Sequence, residues 1–287
     1  MIDISDKLVR INQADISEKC ILDRLPKNVK HLYLERCELH FVPEKIRTFQ
    51  DLQFLSLYNN HITELPIWLE ELRNLRRLNV SANQLPILDS RIRNLENLEV
   101  LDLNHNLLQE VPEECIQLLK LKFLYLSGNC LSDLPEGIGR LKFLRYLNIS
   151  HNQFSRLPKG VFNPFLQELR MYNNEVEELS HEISGLVSVR ELHFDRNKIC
   201  YITPDICHLQ KLEVLSFRGN RLRELPKEIA TLQNLQFLDL RENDLEEVPE
   251  EIQMLTHLKR LDLRLNPKIR LPQWIQTLEE YGCRIYF

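Results

Sequence analysis

The stretch LDLRENDLEEVP, residues 238–249, has apolar residues at a spacing that fits neither a helix nor a long strand. Leu238 and Leu240 alternate as in a strand, but Leu245 follows only after five residues, with Asn243 between them. A helix requires apolar residues three and four apart, and a long strand requires strict alternation. The stretch therefore predicts a short strand, a turn at the asparagine and a return segment that includes Pro249.

The asparagine recurs through the chain at intervals of 23 residues, with one interval of 22: Asn60, Asn83, Asn106, Asn129, Asn152, Asn174, Asn197, Asn220, Asn243 and Asn266. Counting back 23 residues from Asn60 places Cys37 in the same frame, which makes eleven repeats. A fixed period of this length is typical of stacked repeats. Because one repeat cannot bury its own apolar residues, we expect the stack to form one continuous core.

Each position of the frame has a physical reason. Leu238 and Leu240 point inward from the strand, since side chains alternate across it. A buried Asn243 amide can bond the backbone groups that the bend leaves unpaired, each of which would otherwise cost about 1–3 kcal/mol. Pro249 fixes φ where no ladder hydrogen bond is needed. The 22-residue repeat contains Phe162-Asn163-Pro164-Phe165 on its return segment. We expect the loss of one residue there to change only the outer surface, with a hinge or a notch for a partner as the alternative.

The segment LQNLQFLDLRENDLEEVPEEIQML, residues 232–255, closely matches the pattern LxxLxLxxNxLxxLPxxIxxL. In this it resembles the leucine-rich repeat proteins, and its length resembles their 23-residue intracellular Ras-group-related class. The resemblance covers roughly residues 29–280 and implies an α/β fold, a curved solenoid with a parallel β-sheet on its concave face. It departs from the pattern at Cys37 and in the third, seventh and eighth repeats, which lack the proline.

The ends of the stack need caps, because a solenoid otherwise exposes its core. We assign residues 1–28 to an N-terminal cap, 29–280 to eleven repeats and 281–287 to a C-terminal capping strand. In DISEKCILDRL, residues 15–25, one helical face is predicted to carry Ile16, Cys20, Ile21 and Leu25. QWIQTLEEYG predicts a last helix that ends at Gly282, followed by a strand with one face of Cys283, Ile285 and Phe287.

Composition excludes several functional classes. The net charge of −5 disfavours nucleic acid, for which a basic stripe is expected. We find no secretory signal, no apolar run long enough for a membrane span, and no metal-site, phosphate-loop or dinucleotide motif. Seven scattered cysteines favour reduced thiols in a cytoplasm, with Cys37 and Cys115 in the core. We therefore expect no enzyme activity, no cofactor and no metal.

Partner choice is expected on the open face, which we define as the side-chain positions just before, between and just after the two strand leucines. Phe123, Tyr125 and Tyr146 are neighbours there, as are Tyr33, Phe54 and Tyr58. Exposed aromatic residues in strands are ordinary β-formers, but adjacent ones also make binding hot spots. We favour binding.

Arg218, Arg241 and Arg264 form a column on the same face. One interpretation is a surface charge network neutralised by Asp239 and Asp262. The other is a receptor for acidic side chains or a C-terminal carboxylate, aided by Arg196. Beside the column lie three acidic residues, which favour a protein partner over a phosphate backbone: Glu168, Glu191 and Asp195. The predicted partner-binding residues are Phe123, Tyr125, Tyr146, Arg170, Arg196, Arg218, Phe237, Arg241 and Arg264.

The expected function is non-catalytic protein binding by a monomeric scaffold or adaptor in the cytoplasm. The family resemblance implies small GTPases, phosphatases or ubiquitin machinery as partners, without selecting among them. One alternative is a bacterial effector that acts on host-cell proteins. A second alternative, an enzyme or nucleic-acid binder, lacks a supporting motif.

Overall fold

The computed structural model describes residues 2–5, 8–12 and 20–287. The chain forms two compact units, Met1–Leu144 and Arg145–Phe287. Each unit is built from the predicted repeats, with one short strand per repeat and parallel pairing between neighbouring repeats. The prediction of a stacked repeat fold with a parallel sheet is thus confirmed in both units.

In the described part of the first unit, seven strands form one sheet, whose order follows the chain. Strand β1 pairs antiparallel with β2, and each later neighbour is parallel, with equivalent repeat positions opposite one another. The strands are β1 (Ile2–Ser5), β2 (Leu8–Asn12), β3 (His31–Glu35), β4 (Phe54–Ser56), β5 (Arg77–Asn79), β6 (Val100–Asp102) and β7 (Phe123–Tyr125). Helix α1 spans Cys20–Asp23.

The second unit contains seven strands of a parallel sheet and, on the return side, a two-stranded parallel pair. The sheet strands are β8 (Tyr146–Asn148), β9 (Glu168–Arg170), β11 (Glu191–His193), β13 (Val214–Ser216), β14 (Phe237–Asp239), β15 (Arg260–Asp262) and β16 (Arg284–Tyr286). The return-side pair is β10 (Glu178–Leu179) and β12 (Tyr201–Ile202), in two repeats that lack the proline.

The return segments are short 3₁₀ helices. They are Glu44–Thr48, Ile67–Glu71, Ser90–Asn94, Glu113–Gln117, Glu136–Arg140, Lys159–Val161, His181–Gly185, Pro204–His208, Lys227–Thr231 and Glu250–Met254. Pro249 precedes the last of these with φ −61°, and its carbonyl accepts the N–H of Ile252 at 3.1 Å. Where proline is missing, Asp89 and Thr203 accept the N–H of the residue two positions on, so a side-chain cap replaces the ring constraint in these two repeats, whereas Ser180 forms no such cap bond.

The frame asparagines join consecutive repeats, as the sequence predicts. Asn243 Oδ1 accepts the N–H of Leu222 at 3.1 Å, one repeat earlier. Its Nδ2 donates to the carbonyls of Phe217 at 2.9 Å and Leu240 at 3.0 Å. Cys37 uses its thiol in the same way, with Sγ 3.3 Å from the carbonyl oxygen of Ile11. A thiol can therefore replace the Nδ2 donor of the asparagine amide.

The turn before each frame position is left-handed, which the sequence analysis did not anticipate. The residue preceding Cys37 and each asparagine has φ between +51° and +68°: Arg36, Asn59, Ala82, His105, Gly128, His151, Asn173, Arg196, Gly219, Glu242 and Leu265. This region is unfavourable for residues with a Cβ, so the stack holds strain at most of its turns. The inter-repeat hydrogen bonds hold this conformation in place.

The short repeat loses its residue on the return side, as expected. Its 3₁₀ helix, Lys159–Val161, has three residues where the others have five. Asn174 keeps its bonds to the carbonyls of Met171 and Tyr172 and still reaches the preceding repeat at Phe154. Strand spacing on the open face is thereby preserved.

The structure describes more of the C-terminal end of the chain than of the N-terminal end. Ile16 and the side chains of Cys20 and Ile21 lie outside the described part of the structure. Helix α1 is one turn long, and Leu22 within it and Leu25 after it are buried. The pairing of β1 with β2 was not predicted. At the other end, α2 (Ile275–Glu280) precedes Gly282, and Cys283 is buried while Phe287 is 73% exposed. Among the described residues, no helix has the length and apolar character to cross a membrane.

Candidate functional site on the open face of the sheet

The parallel register aligns equivalent open-face positions in rows. In the first unit one row runs Phe54, Arg77, Val100 and Phe123, and the next runs Ser56, Asn79, Asp102 and Tyr125. Because strands β4, β5, β6 and β7 each have a buried leucine at their centre, the flanking side chains are held on a stiff support. Such rows present side chains at fixed spacing to a partner.

The predicted N-terminal aromatic patch is partly assembled. Tyr33 and Phe54 make an edge-to-face contact, with ring centroids 4.7 Å apart and planes at 81°. Arg10 on β2 covers the Tyr33 ring at 4.6 Å. Tyr58 lies instead beside Arg36, whose guanidinium is 5.8 Å from its ring centroid. Tyr33 and Phe54 therefore form one contact, and Tyr58 belongs to a separate one.

A groove of about 370 Å³ opens on the face of the first unit. Predicted binding residues Phe123 and Tyr125 line it, together with Phe54 and Val100. Phe123 is 38% exposed, and Tyr125 is half-buried. The groove also contains Asp102, which the sequence analysis did not single out. Tyr146, predicted as the third member of this patch, lies on β8 in the second unit.

Tyr146 and Arg170 are in contact in the second unit. The Arg170 guanidinium lies 5.7 Å from the Tyr146 ring centroid, and its Nε donates to Glu168 at 2.6 Å. Glu168 stands directly opposite Glu191, and His193 Nε2 is 3.2 Å from a Glu191 oxygen. Arg170 thus balances part of the negative charge of two facing carboxylates.

The same group is the one that could hold a metal ion among the described residues. Glu168, Glu191 and His193 each offer a ligand atom within 4.8 Å of the others. All three are half-buried. Arg170 already donates to Glu168, however, and a cation at this position competes with a metal for the carboxylate.

The three arginines of the predicted column are all ion-paired. Arg218 donates to Glu242, with Nε 2.9 Å from the carboxylate oxygen. Arg241 donates from Nε to both carboxylate oxygens of Asp239, at 2.9 Å and 3.0 Å. The sequence analysis named Asp239 as a neutralising residue but missed Glu242, which reaches Arg218 from the following turn.

Asp262 is the centre of this charge network. It is fully buried, and it accepts hydrogen bonds from Arg264 at 2.7 and 2.8 Å and from Arg260 at 2.8 Å, with Arg241 at 3.5 Å. Burial acts to raise the pKa of Asp262, but these hydrogen bonds outweigh burial and hold it at about 2. Arg260 and Arg264 also cover the Tyr286 ring at 4.9 and 5.2 Å.

These pairs favour one of the two interpretations of Arg241. Its charge is satisfied within the protein, as in a surface charge network, rather than turned towards solvent to receive an acidic partner. Two other predicted residues are accessible: Phe237 is 41% exposed on β14, and Arg196 is exposed at its left-handed turn. Arg196 adjoins the column through its backbone, since its N–H donates to the carbonyl of Arg218 at 2.6 Å.

Three sequence-family models match the chain. The model described as "Leucine rich repeat" matches residues 27–85, 89–131 and 142–199, which is more than half of the sequence. "Leucine Rich repeats (2 copies)" matches residues 119–159, and "Leucine-rich repeat region" matches residues 201–280. No protein with a curated description matches the chain in sequence.

Solved structures of similar fold come from several organisms. A leucine-rich repeat protein of Leptospira interrogans is 35% identical, with a TM-score of 0.76, covering 91% of this chain and 73% of that protein. The ectodomain of the Arabidopsis thaliana receptor kinase GASSHO1/SCHENGEN3, solved with CASPARIAN STRIP INTEGRITY FACTOR 2, is 27% identical, with a TM-score of 0.71 and coverage of 87% and 34%. The InlJ domain of Listeria monocytogenes is 20% identical, with a TM-score of 0.73 and coverage of 90% and 59%, and it shows the fold alone. This chain therefore spans about a third of the plant structure.

Proposed function

This chain belongs to the leucine-rich repeat family, and from that membership we propose that it is a non-catalytic module that binds a protein partner on its open face. The observation that carries the proposal is the exposure of Phe123 and Phe237 on strands that are otherwise anchored in the core. Aromatic anchors on a stiff surface supply much of the binding energy at protein interfaces. The likeness to a receptor ectodomain solved with a bound factor supports a protein or peptide ligand.

We further propose that the module belongs to the 23-residue intracellular Ras-group-related class and acts in the cytoplasm as a monomeric scaffold or adaptor. The repeat length and the LPxxI pattern support the class. The exposed thiol of Cys200 supports a reducing compartment, where such a group stays reduced.

The test is a crosslinked pull-down from native lysate, followed by titration of the captured protein against purified variants. Phe123→Ser and Phe237→Ser, made together, remove one exposed aromatic from the open face of each unit. The matched control is Leu119→Ser with Met254→Ser, which removes exposed apolar residues away from the open-face positions, at 67% and 60% exposure. We avoid Arg241→Glu, because it would place a third negative charge beside Asp239 and the buried Asp262.

We expect the open-face variant to lose the partner at least about tenfold in affinity, as hot-spot residues do. We expect the control variant to retain it. Loss in the control with retention in the open-face variant would place the interface on the return side. Turnover of a substrate by the purified protein would remove the non-catalytic part of the proposal.

The alternative setting is a bacterial effector that acts on host-cell proteins with the same face. The likeness to the Leptospira interrogans protein, at 35% identity, favours keeping it as a second candidate. A reporter fused to either end of the chain and followed into host cells tests this setting. Delivery of the reporter supports the effector, and its retention in the producing cell supports the cytoplasmic adaptor.

A further inference from the structure

The groove of the first unit has a half-buried carboxylate among aromatic rings. Asp102 lies on β6, directly opposite Tyr125 on β7. Phe54, Val100 and Phe123 complete the apolar part of the lining. A volume of about 370 Å³ is within the range of sites that accept a ligand group rather than a water molecule.

Two other aspartates occupy the same repeat position as Asp102, and the three share one backbone contact. The N–H of the residue two positions on donates to the aspartate at 3.0 Å for Asp102, 3.1 Å for Asp239 and 3.4 Å for Asp262. In the second unit that residue is an arginine, Arg241 or Arg264, whose guanidinium pairs with the carboxylate. The backbone contact is therefore the same at all three aspartates. They differ in the side chain of the residue two positions further on.

Asn104 stands where the second unit has arginine. Its Oδ1 accepts the N–H of Ser127 at 2.7 Å, so the side chain is directed at the next repeat. Within the part of the chain that the structure describes, no basic side chain forms an ion pair with Asp102. Arg77 lines the same groove, but its charge acts on Glu99 instead.

Because no basic side chain among the described residues pairs with Asp102, the pKa of its carboxyl group differs from that of Asp262. Burial raises the pKa of Asp102 above its ordinary value, and the backbone bond from Asn104 and the nearby His105 offset this only in part. At Asp262, by contrast, the arginine hydrogen bonds hold the pKa at about 2. A half-buried carboxylate without a cation gains more from an incoming positive charge than one that is already paired.

We propose that this groove binds a lysine or arginine side chain of the protein partner, with the Asp102 carboxylate as its ion-pair acceptor. The proposal rests on the proposed protein-binding function and names the chemistry of the partner residue. The incoming group takes the position that the Arg241 guanidinium has beside Asp239. The rings of Phe123 and Tyr125 flank it, and aromatic faces attract cations. A metal ion is a poorer occupant, because it requires several oxygen ligands and Asp102 is the one carboxylate among the lining residues.

The test uses four pools of fluorescent pentapeptides that differ in the central residue, which is lysine, arginine, methionine or glutamate. Binding of each pool to the purified full chain is measured by fluorescence polarisation. We expect the lysine and arginine pools to bind about tenfold more tightly than the methionine pool, with the glutamate pool weakest. Asp102→Asn keeps the shape of the side chain and should abolish this preference.

Two further variants separate charge from folding. Asn104→Arg copies the second unit by placing a guanidinium beside Asp102, and it should abolish the preference as Asp102→Asn does. Glu110→Gln should leave the preference unchanged, because it removes a carboxylate charge from an exposed residue outside the groove. A circular dichroism spectrum checks that each variant keeps its strand content.

The outcomes distinguish this inference from the proposed function. Equal binding of all four pools, or a basic preference that survives both Asp102→Asn and Asn104→Arg, overturns the inference. Absence of binding by any pool also overturns it, while the pull-down with the Phe123 and Phe237 variant still decides the protein-binding function. Equal capture of the partner by wild type and by the Phe123 and Phe237 variant, together with a basic preference that Asp102→Asn abolishes, would instead place the failure in the proposed function.

Discussion

Asn243 accepts the backbone N–H of Leu222 across a full repeat, at 3.1 Å, and this bond recurs with little change from repeat to repeat. The amide is buried, so water cannot replace it. The strand leucines supply the buried apolar area of the core, and the asparagine hydrogen bonds fix the register between consecutive repeats. Stability should therefore depend on this polar residue as strongly as on a core leucine.

Asn243→Ala should lower the free energy of unfolding by at least about 2 kcal/mol, since each buried group left unsatisfied costs about 1–3 kcal/mol. Asn243→Cys should cost less, because the Cys37 thiol already bonds a carbonyl at the equivalent position. Urea unfolding followed by circular dichroism measures both. Asn234→Ala is the control, since Asn234 also bonds the preceding repeat, at Gln210, but is exposed. An equal loss from Asn234→Ala would contradict the importance of burial.

Stability should depend on pH through Asp262. Its pKa is held at about 2 in the folded protein, below the unfolded value of about 3.9. The contribution is therefore present above about pH 4 and is lost as the pH falls through about 2. The difference in urea midpoint between wild type and Asp262→Asn should shrink across this window. A midpoint difference that stays constant between about pH 5 and about pH 2 would contradict this role for Asp262.

The left-handed turns predict substitutions of opposite sign. Leu265 has φ +60° and is 69% exposed, so Leu265→Gly should relieve strain without loss of burial. We expect a gain of about 0.5–1 kcal/mol. Gly219→Ala should destabilise, because φ is +68° and the new Cβ would lie 3.2 Å from Cγ of Arg196. Thermal unfolding of both variants tests this, and a stabilised Gly219→Ala would show that the turn is not strained.

Thiol reactivity should follow burial. Burial raises the pKa of Cys115 to about 12 and that of Cys283 to about 11, so little thiolate forms at pH 8. Cys200 is exposed. We expect iodoacetamide to label Cys200 in the native protein and to reach Cys115 and Cys283 only in urea, as read by peptide mass spectrometry. Native labelling of Cys115 at the rate of Cys200 would indicate that its repeat opens readily.

The period of the leucines and asparagines was sufficient to predict the repeat fold, because each frame residue has one physical role. The frame also extends further back than we recognised. Val9 and Ile11 lie 23 residues before Leu32 and Leu34, and β2 pairs with β3 in that register. The apolar run around Val9 and Ile11 is shorter than the runs in the other repeats, so we did not recognise this segment as part of the frame. The left-handed turns were missed because only four of the eleven carry a residue that favours this region: Asn59, Gly128, Asn173 and Gly219.

The sequence predicted which residues lie on the open face but not which of them contact one another. Sequence spacing placed Asp239 near Arg241, since alternate residues share a face, and the structure shows that pair. It could not show that Arg218 turns to Glu242, because the choice depends on a turn residue at positive φ. Asp102 had a readable signal. Asn104 follows it where Arg241 follows Asp239, and comparing repeats position by position would have found the difference.

The 22-residue repeat shows where this protein can change length without losing its hydrogen-bond pattern. Asn174 bonds Phe154, 20 residues back, where other repeats span 21, and the missing residue is absorbed in the return segment. Natural insertions and deletions should therefore be tolerated on one side of the molecule while the other side keeps its spacing.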